Sequence, residues 1–236
     1  MTKIFYIANT RLPTENAHGA QIVKMCEAFV KEGASVTLIV PTRFNSITED
    51  PFTYYGVEKV FSIVRVPVLD TVRWGKGGFL FQSVLFALMA WICALFIRHD
   101  VVYGRDEIAL VPFLLRRAPV IWESHTGSYN IAASRILKRA SHIIAITQGL
   151  KDFYVEKGVA SEKVTVAHDG VDLQAFSHAI LKNDARKRLG LSKEEKIVLY
   201  VGRVDGWKGA LVLCGAARFL VFPMRVVIIG GKESDK

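Results

Sequence analysis

Short β-rich runs and longer helical runs alternate along nearly the whole chain, which strongly constrains its fold. Strands separated by helices must run the same way and be covered on both faces, so the pattern predicts an α/β fold with a parallel sheet. The expected strands are Ile4–Ala8, Ser35–Val40, Val57–Val66, Val101–Tyr103, Val120–Trp122, Ile143–Ile146 and Val164–Val166. Helices are expected over His18–Gly33 and about 107–117, 129–140 and 148–157. In the first of these, Ile22, Met25, Cys26, Phe29 and Val30 mark one apolar face, and Gly33 ends it.

A break follows near residue 180. A short polar helix over Asp184–Leu191, a strand over Lys196–Val201, a helix over Ala210–Val221 and a strand over Arg225–Ile229 read as a new β-α-β unit. The expected organisation is therefore one Rossmann-like domain over 1–180 and the beginning of a second over 181–236. A β-α-β crossover is only part of a domain, since both faces of its sheet need cover. The second domain is expected to be truncated.

Composition narrows the partners. The formal net charge of +9 suits phosphates, nucleotide diphosphates, acidic lipid or nucleic acid, or is simply a solvated basic surface. No basic stripe interleaved with aromatics suggests a single-strand nucleic-acid platform, and no nucleic-acid partner is expected. Cys26, Cys93 and Cys214 lie far apart in apolar helical patterns, without zinc spacing, and are expected to be buried free thiols in a reducing compartment. The apolar run at the N-terminus is short and reads as a first strand rather than a signal peptide.

The segment Phe79–Ile97 contains only two clearly polar residues, Gln82 and Ser83, with Arg73 and Lys76 before it and Arg98 after. As a helix it would rise about 28 Å, close to the hydrocarbon thickness of a bilayer. Three readings stay open: a buried or groove-lining helix, a helix dipping into a membrane interface, or a membrane span. A span would place the strands before and after it on opposite sides of the membrane.

The stretch Tyr200–Gly209 leaves a strand, turns through Gly202 and Gly206, and enters a helix. Such a turn gathers backbone N–H groups, while Arg203 offers a bidentate fork and Lys208 a movable charge. The pattern fits a diphosphate site or an ordinary turn with two solvated cations.

Gly202-Arg203 followed by Lys208-Gly209 resembles the donor site of retaining GT-B-fold glycosyltransferases of the group 1, or family 4, type. Four other segments agree in order. Asn16–Phe29 looks like the first loop and helix, whose glycine lets backbone approach the donor. Trp122-Glu123-Ser124-His125 looks like the strand end carrying the active-site histidine. Ile143–Leu150 looks like the family's strand, hydroxyl residue and helix start. His168-Asp169-Gly170-Val171-Asp172 with Phe176 resembles the segment before the interdomain linker, with Asp169 where Asn is usual.

The resemblance implies a GT-B architecture and transfer of a sugar from a nucleotide diphosphate sugar to a glycan or lipid-linked acceptor, with retention. It implies His125 as the catalytic candidate and Gly19, Gly202, Arg203 and Lys208 at the donor diphosphate. Arg203 and Lys208 would ease departure of the diphosphate, so no cofactor and no metal are expected. It further implies polysaccharide or glycolipid biosynthesis in the cytoplasm, at the inner membrane face if an anionic membrane is touched. The family's donor-side glutamate pair has no counterpart in this chain. That leaves a non-catalytic sugar- or acceptor-binding module as the alternative.

Read individually, Gly19 permits close approach of a ligand or is a simple loop glycine. His18 contacts substrate or is merely exposed. His125 follows a strand's C-terminal end, where ligands bind in open α/β sheets. Glu123, two residues earlier, shares its face of the strand, and the two would make a metal site only with a third ligand that the sequence does not reveal. Arg105, beside Asp106 at another strand end, lines the acceptor side or forms a surface ion pair. Asp169-Gly170 reads as a turn, and Asp172 as a cap for the stretch around Phe176.

Overall fold

In the computed structural model, which describes residues 1–173, 176–177, 180–220 and 224–231, the chain divides into two compact units, Met1–Gly170 and Val171–Lys236.

The first unit is built on seven parallel strands: β1 (Lys3–Ile7), β2 (Ser35–Thr42), β3 (Ser62–Pro67), β4 (Val101–Gly104), β5 (Val120–Ser124), β6 (His142–Ala145) and β7 (Val164–Val166). Their spatial order is β3-β2-β1-β4-β5-β6-β7. The chain runs outward from β1 to β3, returns beside β1 as β4, and runs outward the other way. That reversal makes the crevice between the C-terminal ends of β1 and β4 the natural ligand site of a doubly wound sheet.

Burial follows the period of two. Phe5 and Ile7 join the core on one face with Ile39, Val102, Trp122 and Ile143, while Ile4 and Tyr6 join Leu38, Val40 and Tyr103 on the other. Helices α1 (Ala17–Lys31), α2 (Pro51–Tyr55), α3 (Gly75–Cys93), α4 (Glu107–Leu110), α5 (Ile131–Arg139) and α6 (Gln148–Glu156) cover the two faces. Local signals start several of them. Asp50 accepts the Phe52 N–H at 2.9 Å with Pro51 at the first position of α2, Asn130 accepts the Ala133 N–H at 2.9 Å, and Thr147 accepts the Leu150 N–H at 3.2 Å.

The expected strand Val57–Val66 is shorter, because Val57 and Phe61 leave the sheet to pack with Phe52 of α2. The expected helix at 107–117 is α4 followed by a 3₁₀ turn, Val111–Leu115. Arg116 then closes the end of α3 by donating to the carbonyls of Trp91 and Ala94 at 2.9 and 3.2 Å.

Helix α3 reverses the usual polarity. Gln82 and Ser83 are buried with Gly78, Phe86, Ala87 and Ala90, while Leu80, Phe81, Val84, Leu88 and Ile92 stand exposed. Length and composition alone would let Val72–Cys93 cross a bilayer. However, β3 before it and β4 after it belong to one parallel sheet, so both ends stay on the same body and a span is incompatible with this fold.

The second unit contains α7 (Lys182–Arg188), β8 (Lys196–Val201), α8 (Ala210–Ala216) and β9 (Met224–Ile229), with β8 and β9 parallel from Lys196 opposite Met224 to Val201 opposite Ile229. Leu199, Val201 and Ile229 remain exposed on its strands. The expected helix over Ala210–Val221 becomes a 3₁₀ turn at Ala217–Phe219, and residues 221–223 lie outside the described residues. So do residues 174–175, which fall in the stretch expected to be capped by Asp172. Of the three cysteines only Cys26 is buried. Cys93 is half-buried, and Cys214 is exposed because α8 buries only Ala210.

Candidate functional site

The ends of β1, β4 and β5, together with the start of α1, enclose a cleft of about 620 Å³ lined by Asn9, Thr10, His18, Gln21, Arg105 and His125, among others. It lies at the switch point between β1 and β4.

At its floor is a buried charge cluster. Glu123, only 3% exposed, sits 2.9 Å from the Arg105 guanidinium and 2.6 Å from His125 Nε2, and its other oxygen accepts the Tyr103 hydroxyl. Burial pushes the Glu123 pKa up. The hydrogen bond from His125, the Arg105 charge and the Tyr103 hydroxyl outweigh it and hold the carboxyl below its usual range. Arg105 is fixed as well: it donates to Gln21 Oε1 at 3.1 Å, and its backbone carbonyl accepts the Trp122 indole N–H at 2.9 Å.

A carboxylate only accepts, so His125 Nε2 carries the proton in that bond. In the neutral ring Nδ1 is then an acceptor, 3.9 Å from the Asp169 carboxylate. A carboxylate that orients an imidazole fixes its tautomer and readies the other nitrogen to receive a hydroxyl proton or hydrogen bond.

A second network fixes the β1 end. Asn9 donates from its backbone to Asp106 at 2.7 Å and from its side chain to Ser83 at 2.9 Å, and its side-chain oxygen accepts Gln82 at 3.0 Å. This explains why the two polar residues of α3 point inward. Asp106 is raised to about 6, chiefly by burial, with the Asn9 N–H opposing the rise and Glu107 adding to it. Arg105 and Asp106 thus turn to different partners, so the expected alternative of a surface ion pair between them does not form. His18 Nε2 is 2.8 Å from the Thr10 hydroxyl, and desolvation followed by the nearby Arg105 charge lowers its pKa.

Gly19 is not a loop glycine but lies buried in the first turn of α1. A Cβ there would come 2.3 Å from the Tyr55 hydroxyl and 2.4 Å from the Thr14 methyl. Its own N–H donates to the Asn16 carbonyl. The close approach it permits in this structure is that of Tyr55, whose hydroxyl accepts the Thr14 N–H at 2.7 Å and donates to the Thr14 carbonyl at 2.9 Å.

Glu123, His125 and Asp169 place a ligand-type atom each within 4.8 Å of one another, so exposed Asp169 stands where the third ligand of a metal site would be needed. Arg105 already neutralises Glu123, which weakens that corner as a cation ligand. Sequence reasoning also passed over Asn9, Tyr103, Gln82 and Ser83 as site residues. Two polar residues in an otherwise apolar helix were the available signal for the last two.

In the second unit, Gly202 ends β8 and its N–H donates to the Ile229 carbonyl. Arg203 is 71% exposed and pairs with Asp205 at 3.1 Å. Lys208 stands over the Trp207 ring at 5.2 Å, just before Gly209, whose φ of 79° suits glycine at the entry to α8.

Residues 19–175 match the profile of Glycosyltransferase Family 4. The D-inositol 3-phosphate glycosyltransferase of Xylanimonas cellulosilytica is 30% identical over 107 residues, 43% of this chain and 26% of that protein. D-inositol 3-phosphate glycosyltransferase 1 of Catenulispora acidiphila is 35% identical over 110 residues, again 43% of this chain and 26% of that protein. The matched stretch therefore spans about a quarter of each curated relative. Anabaena Alr3699/HepE, solved with UDP-glucose, superposes with a TM-score of 0.67 at 17% identity, over 100% of this chain and 63% of that one. Sucrose-phosphate synthase from Thermosynechococcus elongatus superposes with a TM-score of 0.74 at 16% identity, over 100% and 64%. These likenesses show the GT-B type of fold.

Proposed function

The chain belongs to Glycosyltransferase Family 4, and from that premise we propose that it transfers a sugar, with retention, from a nucleotide diphosphate sugar to a hydroxyl of a glycan or lipid-linked acceptor. The observation that carries the reading is His125, fixed by buried Glu123 at the switch-point cleft. In the reaction the acceptor oxygen bonds to the anomeric carbon. The bond from that carbon to the diphosphate breaks, its electron pair leaves on the diphosphate oxygen, and the acceptor proton passes to that leaving group or to water.

The first unit serves the acceptor side, with His18, Arg105 and Glu123 around the cleft and His125 Nδ1 accepting a hydrogen bond from a sugar hydroxyl. Gly202, Arg203 and Lys208 hold the donor diphosphate, the two cations neutralising charge as it departs. Gly19 contributes by letting the entry of α1 close against Tyr55. A uridine nucleotide is the first donor to try, because Alr3699/HepE was solved with UDP-glucose. The chain acts in polysaccharide or glycolipid synthesis at the cytoplasmic face of an anionic membrane, which it touches through the exposed apolar side of α3. Arg73, Trp74 and Lys76 flank that side, a cationic and aromatic border suited to headgroups.

The test is transfer of labelled sugar from a panel of UDP- and GDP-sugars to a bacterial lipid and glycan extract. Transfer is expected, with His125→Ala reducing it by roughly a hundredfold, the lower range for a positioned proton-transfer group. UDP binding read by calorimetry is expected to weaken in Arg203→Gln and Lys208→Gln. Absence of both transfer and nucleotide binding across the panel would overturn the reading.

A further inference from the structure

His125 is carried by the turn that follows β5, and its neighbours in the chain are tied down from beneath. Ser124 and Tyr154 are both fully buried. Their hydroxyl oxygens lie 2.5 Å apart, and both reach one backbone carbonyl, that of Thr126, at 3.1 Å from Ser124 Oγ and 2.8 Å from Tyr154 Oη. The Ser124 carbonyl accepts the Ile146 N–H at 3.3 Å. The chain is therefore pinned immediately before His125 by the end of β6 and immediately after it by α6. Tyr154 reaches further. Its ring stands against Trp122, 5.5 Å between centroids, and the Trp122 indole N–H holds the Arg105 carbonyl.

Counting protons sets what this cluster can do. Burial is the largest influence on the Tyr154 hydroxyl and pushes its pKa up, so the phenol keeps its proton near neutral pH. Two hydroxyls then carry two protons for three contacts. The close approach of the two oxygens requires that one hydroxyl donate to the other, which leaves one proton for the Thr126 carbonyl. Either residue can supply it. We infer that Ser124 and Tyr154 form a redundant clamp on the Thr126 carbonyl, and that the clamp keeps His125 Nε2 on Glu123 with Nδ1 open to the cleft. They are positioning residues, acting through the turn rather than on substrate. Their part in sugar transfer rests on the glycosyl-transfer reading, but their hold on the imidazole does not. Removing one hydroxyl leaves the other to donate to Thr126. Removing both takes away both donors and lets the turn shift, so that the imidazole loses its register on Glu123.

The experiment follows the imidazole by nitrogen NMR on the whole chain with isotope-labelled histidine, the His125 signals being assigned by their loss in His125→Gln. The parent chain is expected to show one neutral tautomer at His125, protonated at Nε2 and bare at Nδ1. Tyr154→Phe and Ser124→Ala should each keep that signature. The double variant should lose it, with mixed tautomers and roughly tenfold faster exchange of the Nε2 proton, the scale of one lost hydrogen bond. Ile136→Val lowers stability from within α5 without touching the turn and should keep the signature, which separates the clamp from general destabilisation. In transfer assays the double variant should lose roughly tenfold in kcat with little change in KM, and each single variant less than about threefold. A single tautomer retained in the double variant overturns the inference. So does its loss in either single variant, which removes the redundancy, or in Ile136→Val. If the double variant does not fold, the Thr126 carbonyl carbon resonance decides: it should hold its hydrogen-bonded position in each single variant, and movement to an unbonded position in either overturns the clamp. The tautomer readout needs no turnover. The expected tautomer pattern without any sugar transfer would sink the transfer reading alone, and transfer by a parent chain with mixed His125 tautomers would sink this inference alone.

Discussion

Gly19→Ala separates two roles for that glycine by the sign of its effect. In an open helix, alanine at this position gains about 0.5–1 kcal/mol over glycine. Here the added methyl would lie 2.3 Å from the Tyr55 hydroxyl and 2.4 Å from the Thr14 methyl, both far inside contact distance. Overpacking of this kind costs about 1–3 kcal/mol. Moving the hydroxyl also breaks its two hydrogen bonds to the Thr14 backbone, each contributing roughly 0.5–1.5 kcal/mol. The net expectation is a loss of about 2–4 kcal/mol, or about 5–15 °C in Tm for a body of this size. Tyr55→Phe removes the nearer obstacle, so in that background Gly19→Ala should cost at least about 1 kcal/mol less, a positive coupling in a double-mutant cycle. Urea and thermal unfolding of the four proteins measure both quantities. A Gly19→Ala protein as stable as the parent, or more so, with weakened nucleotide binding would refute the packing argument and leave Gly19 as a ligand-approach residue.

Three further outcomes follow from the same geometry. Glu123→Gln leaves Arg105 half-buried without its counter-charge and releases the His125 tautomer. It should cost about 3–5 kcal/mol by chemical denaturation and lower transfer activity, whereas a change below 1 kcal/mol would show that Arg105 has other support. Asp106, raised to about 6 from 3.8, binds its proton more tightly folded than unfolded, so its contribution to stability falls as pH rises from about 4 to 6. The fall is up to about 3 kcal/mol. Asp106→Asn keeps an acceptor for the Asn9 N–H and should remove that part of the slope, which urea midpoints at pH 4.5 and 7 would read. Replacing Val84 and Leu88 by Glu on the exposed side of α3 should abolish flotation on anionic vesicles without lowering Tm, and unchanged flotation would remove α3 as the membrane contact.

The alternation of strand and helix was readable because period-two and period-3.6 burial are local properties. Ile4–Ala8 and the apolar stripe of α1 need no knowledge of the rest of the chain. That Glu123 and His125 face the same way at a strand end was readable for the same reason, whereas their hydrogen bond to each other was not. Helix α3 was not: composition alone allowed a core helix, an interfacial helix or a span. Only the return of β4 beside β1 excluded the span, and only the Asn9 network explained why Gln82 and Ser83 face inward. That Gly19 lies within the first turn of α1 against Tyr55 was not readable, because the atom that meets its added side chain belongs to a helix with no apolar periodicity long enough to reveal it. By itself, then, the sequence determined the α/β class and the strand ends at which chemistry would gather. The tertiary structure decided which side chains meet there. Arg105 to Glu123 and Asn9 to Asp106 join segments far apart in the chain, and such contacts follow from strand order, which local patterning does not encode.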